Sequence, residues 1–155
     1  MTNRKRTLLV VVVTVLAAAL FLAGCSGGEA APGEGASLEE QTQTVPVGDA
    51  GAYTDVSVEG LATMREEETF PLINVHIPYE GEIEGTDLFI PYNEIEQNLD
   101  QLPEDKDARI VLYCRSGSMS AQAARTLVEL GYTDVWNVDG GMIAWENSGR
   151  PLLNR

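Results

Sequence analysis

Among 155 residues there are one histidine, two cysteines and ten Lys/Arg, against 24 Asp/Glu. Each shortage excludes something. Cys25, Cys114 and His76 are too few and too scattered for a His/Cys zinc site, and no D-x-[DN]-x-[DN]-G calcium loop is present. A formal charge of −14 with no basic patch excludes binding to nucleic acid through its phosphates. About 100 residues of ordinary globular composition suffice for one domain, so two large domains are excluded as well. No internal repeat is found, and neither a metal nor a cofactor is expected.

What is present is unevenly spread. Arg4, Lys5 and Arg6 precede an uncharged apolar run from Thr7 to Ala23, and no acid occurs before Glu29. A basic flank followed by such a run is the pattern of an export signal. The run closes on Leu22-Ala23-Gly24-Cys25, which resembles the lipobox of bacterial lipoproteins. That resemblance implies a signal peptide over residues 1–24, cleavage before Cys25, lipidation of Cys25, and a membrane-anchored protein on the extracytoplasmic side. An uncleaved transmembrane anchor is the alternative, with the same topology. Residues 25–52 are rich in glycine and poor in large apolar side chains, so they are expected to form a lipidated, disordered tether. Loss of the signal removes three cations and no acid, leaving 7 positive and 24 negative side chains, or −17.

From Tyr53 onward the pattern is globular, and residues 53–155 are expected to be the folded domain. Val56–Glu68, Asn93–Leu102, Ser118–Leu130 and Met142–Asn147 have helical spacing; Pro71–Ile77, Asp87–Tyr92, Arg109–Tyr113 and Val135–Val138 read as strands. Gly131 supplies a helix stop. Strands alternating with helices predict an α/β fold with a largely parallel sheet and helices on both faces.

In such sheets, sites lie beyond the carboxyl ends of strands. Cys114 follows the best strand and opens the turn Cys114-Arg115-Ser116-Gly117-Ser118-Met119-Ser120. Consecutive backbone N–H groups in a tight loop at a helix N-terminus form an anion nest. A thiol at its centre is favoured as the thiolate, its nucleophilic form. With Cys25 lipidated, Cys114 is the only thiol, and no intrachain disulfide can form.

This loop resembles the active-site loop of rhodanese-like sulfurtransferases, C-R-S-G-x-R-S. Gly140-Gly141-Met142-Ile143-Ala144-Trp145 is similar to that family's G-G-x-x-A-W, and Leu72-Ile73-Asn74-Val75 to its L-I-D-V strand. The resemblance spans Thr54–Leu153. It implies a rhodanese-like fold with a five-stranded parallel sheet. It also implies a Cys114 that carries transferable sulfur as a persulfide, with Arg115, Ser116, Gly117, Ser118, Met119 and Ser120 as the substrate-binding loop. The partners implied are a small sulfur donor and an acceptor, either cyanide, a small thiol or a partner protein. Met119 replaces the loop's second arginine, Asn74 the usual aspartate and His76 a frequent arginine, and the usual G-H-I-P-G-A segment is absent. These departures disfavour thiosulfate as the natural donor. They also motivate a second reading, a binding or sulfur-carrier module without turnover. A phosphatase would need an arginine six residues after the cysteine, and Ser120 stands there.

His76 reads as a packed rather than catalytic histidine, and Trp136 and Trp145 as core. Glu66-Glu67-Glu68 reads as a solvated helix end.

Overall fold

The computed structural model describes residues 36–155; the expected signal peptide, Cys25 and the first part of the expected tether lie outside the described residues. The elements in chain order are β1 (Thr42–Val47), β2 (Gly51–Val56), α1 (Val58–Glu67), β3 (Leu72–Asn74), β4 (Leu88–Phe89), β5 (Ile110–Tyr113), α2 (Ser118–Glu129), β6 (Val135–Val138) and α3 (Gly141–Asn147). Two 3-10 segments, Leu38–Gln41 and Tyr92–Gln101, complete them.

The sheet has the order β1-β2-β6-β5-β3-β4. The five strands from β2 to β4 are mutually parallel, as the resemblance implies. β1 adds a sixth, antiparallel to β2, so the sheet is mixed rather than purely parallel. Residues 42–52, expected as tether, are thus an edge hairpin turned at Gly48 (φ +51°). Thr42-Gln43-Thr44-Val45-Pro46-Val47 offers only two inward side chains, Val47 buried and Val45 packed beside it. That is too thin an apolar pattern to separate an edge strand from a linker. Pro46, lacking an N–H, is tolerated because only one side of β1 is paired.

The central strands alternate sides. Ile73, Ile110, Leu112 and Val135 pack with Ala123, Ala124 and Leu127 of α2, whereas Leu72, Val111, Tyr113 and Val138 pack with Leu61 and Met64 of α1 and with Met142 and Trp145 of α3. Helices therefore cover both faces. Trp145 belongs to this core, while Trp136 is partly buried against it. Ser57 caps α1 by accepting from Gly60 N at 3.0 Å. Gly131 (φ +90°) closes α2, with Tyr132 N donating to Leu127 O at 3.0 Å.

Two expected strands are shorter than their apolar runs. Pro71–Ile77 contracts to Leu72–Asn74 and Asp87–Tyr92 to Leu88–Phe89. Asn93–Leu102, expected as an α-helix, is 3-10, interrupted at Asn98 (φ −121°). That segment lies between Pro91 and Pro103, leaving little length for α-helical bonds.

Candidate active site

Cys114 stands immediately beyond β5, a central strand buried at all four positions. The residue is 1% exposed, so the sulfur is buried behind the loop that follows it. Gly117 N donates to Sγ at 3.2 Å, and Ser120 Oγ lies 3.4 Å from it. Ser120 Oγ also lies 3.1 Å from Gly117 O, and a hydroxyl has one proton, so it serves either acceptor at a time. Gly117 occupies left-handed backbone (φ +89°) as the residue capping α2, which aims the helix's unpaired first amides at the loop. A Cβ there would also sit 3.3 Å from Gly140 N.

Of the six loop residues expected to bind substrate, Gly117 and Ser120 touch the sulfur directly. Ser116 and Ser118 are exposed at the rim, and Met119 is partly buried against the α2-side core. Arg115 is exposed, and its guanidinium is ion-paired to Glu80.

The glycine pair before α3 has a structural role that its motif alone does not reveal. Met142 N donates to Cys114 O at 2.9 Å and Ile143 N to Arg115 O at 3.0 Å. In a trans peptide the N–H points opposite to the C=O, so anchoring these two carbonyls on α3 turns the following amides the other way. The approach is close enough that a Cβ on Gly141 would lie 2.1 Å from Cys114 O. Glycine is required there.

A second segment closes the site from the β3 side. Asn74, fully buried, accepts from His76 N at 3.0 Å and donates through Nδ2 to Gly81 O at 3.0 Å. A carboxylate at this position could accept but could not donate, so the amide fits this loop's geometry. The Tyr113 hydroxyl accepts from Ile83 N at 3.0 Å and meets Thr86 Oγ1 at 2.6 Å; burial pushes its pKa up to about 12. His76 is buried, as a packed histidine should be, with Nε2 3.5 Å from Glu80 Oε2. Glu80 was not singled out by sequence reasoning; nothing local marks it among its acidic neighbours. Two surface hollows of about 220 and 470 Å³ lie elsewhere and contain no residue of 114–120.

A cysteine at a strand end, solvated by a backbone amide and locked by a double-glycine helix start, lies inside a stretch that matches a known family. The rhodanese-like domain model matches residues 60–148. The chain belongs to the rhodanese-like family.

Family relatives agree with that assignment. A sulfurtransferase of Allochromatium vinosum is 36% identical over 93 residues, covering 58% of this chain and 84% of that protein. A rhodanese-like domain protein of Staphylococcus aureus has 28% identity and a TM-score of 0.51, covering 59% of this chain and 89% of its own. The polysulfide-sulfur transferase homodimer of Wolinella succinogenes gives 25% identity and a TM-score of 0.54, covering 65% and 78%. Other curated relatives are longer: this chain spans 59% of one and 21% of another. Sulfur transfer is thus supported at the level of the family.

Proposed function

We propose that this protein is an extracytoplasmic sulfurtransferase that moves a sulfane sulfur from a small donor to a thiol or cyanide acceptor through a persulfide on Cys114. The observation that carries this reading is the pair of donors, Gly117 N and Ser120 Oγ, converging on a buried Sγ at the start of α2. In the first half-reaction the Cys114 thiolate attacks the outer sulfur of the donor. The donor's S–S bond breaks, its electron pair leaves with the departing group, and the enzyme holds Cys114–S–S⁻. In the second, the acceptor's nucleophile attacks the terminal sulfur and the Cys114 thiolate is released. Preorganised amides stabilise both anionic forms without rearranging.

The test is the mass of the protein after incubation with donor and removal of excess reagent. Cys114 should become one sulfur atom heavier, and Cys114→Ser should not. If thiosulfate, polysulfide and mercaptopyruvate all fail to produce the adduct, the sulfurtransferase reading is wrong.

A second reading, a carrier or binding module for a partner protein, is favoured by the near-complete burial of Cys114 and by the absence of an uncommitted cation at its loop. On that reading a partner is still captured by Cys114→Ser, and the wild type shows no turnover. Placement at a membrane through a lipid on Cys25 is part of the first proposal and rests on the L-A-G-C sequence. Cys25→Ser should move the protein out of the membrane fraction.

A further inference from the structure

The arginine of the Cys114 loop is paired to one carboxylate. Glu80 Oε2 pairs with the Arg115 guanidinium and lies 3.5 Å from His76 Nε2. Neither ring nitrogen of His76 makes a hydrogen bond, although the residue is buried, so Glu80 is the polar group that its Nε2 faces. Both neighbours of Glu80 are fixed. Tyr79 bonds Glu82 at 3.0 Å and stacks edge-on against Phe89 at 5.4 Å, and Gly81 O is held by Asn74. The Arg115 guanidinium holds the Glu80 carboxyl below the usual carboxylate range, with His76 adding to this, so it stays ionised. Arg115 is the only cation of the loop, since Met119 lies where a second would stand.

We propose that Glu80 is a specificity-determining positioning residue: by engaging Arg115 it keeps the loop mouth neutral, and so selects singly charged sulfane donors over dianionic thiosulfate. The proposal rests on Cys114 being the sulfur-accepting nucleophile. Thiosulfate and an alkyl thiosulfonate present the same reacting bond. The Cys114 thiolate takes the sulfane sulfur from either, the S–S bond breaks, and the pair leaves with sulfite, a dianion, or with alkylsulfinate, a monoanion. Binding the first donor and stabilising its leaving group calls for a cation that is not already committed.

The probes are thiosulfate and methanethiosulfonate, and the readout is the ratio of their kcat/KM values. In Glu80→Gln the ratio should shift toward thiosulfate by about fivefold, the scale of one released surface ion pair. The gain should lie mainly in the thiosulfate KM and should shrink with added salt. It should vanish when Arg115→Gln is also present. An unchanged ratio, or a gain that survives Arg115→Gln, overturns the proposal. Equilibrium titration of thiosulfate into Cys114→Ser and Cys114→Ser/Glu80→Gln separates this question from turnover. Thiosulfate binding that tightens in the double variant by more than methanethiosulfonate binding does supports the role of Glu80 even if no sulfur is transferred. Equal binding of thiosulfate to both proteins overturns it.

Discussion

Residues 114–120 and residues 74–86 meet through Arg115, beside Cys114, yet they are secured by different chemistry. The first segment is held by backbone: carbonyls of Cys114 and Arg115 on the amides of α3, and a glycine amide on the sulfur. The second has its own backbone bonds, Val75 N to Tyr113 O and an exchange between Glu82 and Leu153, but its contacts toward the site are made with side chains: Asn74 across its neck, the Tyr113 hydroxyl beneath it, and Glu80 on Arg115. Backbone contacts tolerate change in most side chains but fail at once where a Cβ intrudes. Side-chain contacts fail one at a time. A nucleophile that must be held within about 0.5 Å of its productive position is better served by the first kind, and a specificity surface by the second.

The largest effect should come from Gly141→Ala. The added Cβ would meet Cys114 O at 2.1 Å and the carbonyl carbon of Arg115 at 2.9 Å, atoms of a backbone that cannot turn aside. The position also has φ +52°, which strains any residue with a Cβ. Together these should cost about 3 kcal/mol or more. Thermal unfolding measures the loss, and persulfide formation should fall with it, even in the fraction that remains folded. If Gly141→Ala retains both stability and activity, the backbone anchoring of the loop is not what holds the site.

Which of these features could be read from sequence follows from the same contrast. Cys114, its small-residue loop and the glycine pair are contiguous in sequence, so their residue types announce them. The parallel core was legible because Ile110-Val111-Leu112-Tyr113 is apolar throughout, as a strand buried on both faces must be. β1 was not legible, since an edge strand with two inward valines has almost the composition of a tether. Glu80 and Asn74 were not legible as partners because their roles depend on which atoms lie across the loop. An asparagine needed as both donor and acceptor looks, in one dimension, like a departure from an aspartate.

Tyr113→Phe tests the side-chain-held segment at its most buried contact. The substitution leaves Ile83 N, on a residue with no exposure, without its acceptor. A loss of about 1–2 kcal/mol is expected, with chemical denaturation as the measurement. The effect also has a pH signature. The native phenol titrates near 12, above its ordinary value of 10, so the folded state prefers the neutral form. That preference is fully present below pH 10 and is lost as pH rises from 10 toward 12. Tyr113→Phe should therefore flatten the alkaline decline in stability while lowering stability at neutral pH. Because Tyr113 does not touch the sulfur, kcat at neutral pH should change less than the stability does.

Ser120→Ala sharpens the comparison from the other side, because Ser120 is the one side chain that reaches Sγ within the backbone-held loop. Gly117 N remains in place in the variant, at 3.2 Å and fixed by the start of α2. Removing one of two donors to an anionic sulfur should cost about 1 kcal/mol of stabilisation of the thiolate and persulfide, or about fivefold in the rate of persulfide formation. Folding stability should hardly move, since Gly117 O loses only an alternative partner. The rate of persulfide formation compared with the unfolding free energy is the discriminating measurement: Ser120→Ala should lower the first and leave the second, because the anionic sulfur has lost a donor. A rate that does not move would assign the whole of the sulfur's stabilisation to backbone, and would leave Ser120 as a brace for Gly117 O.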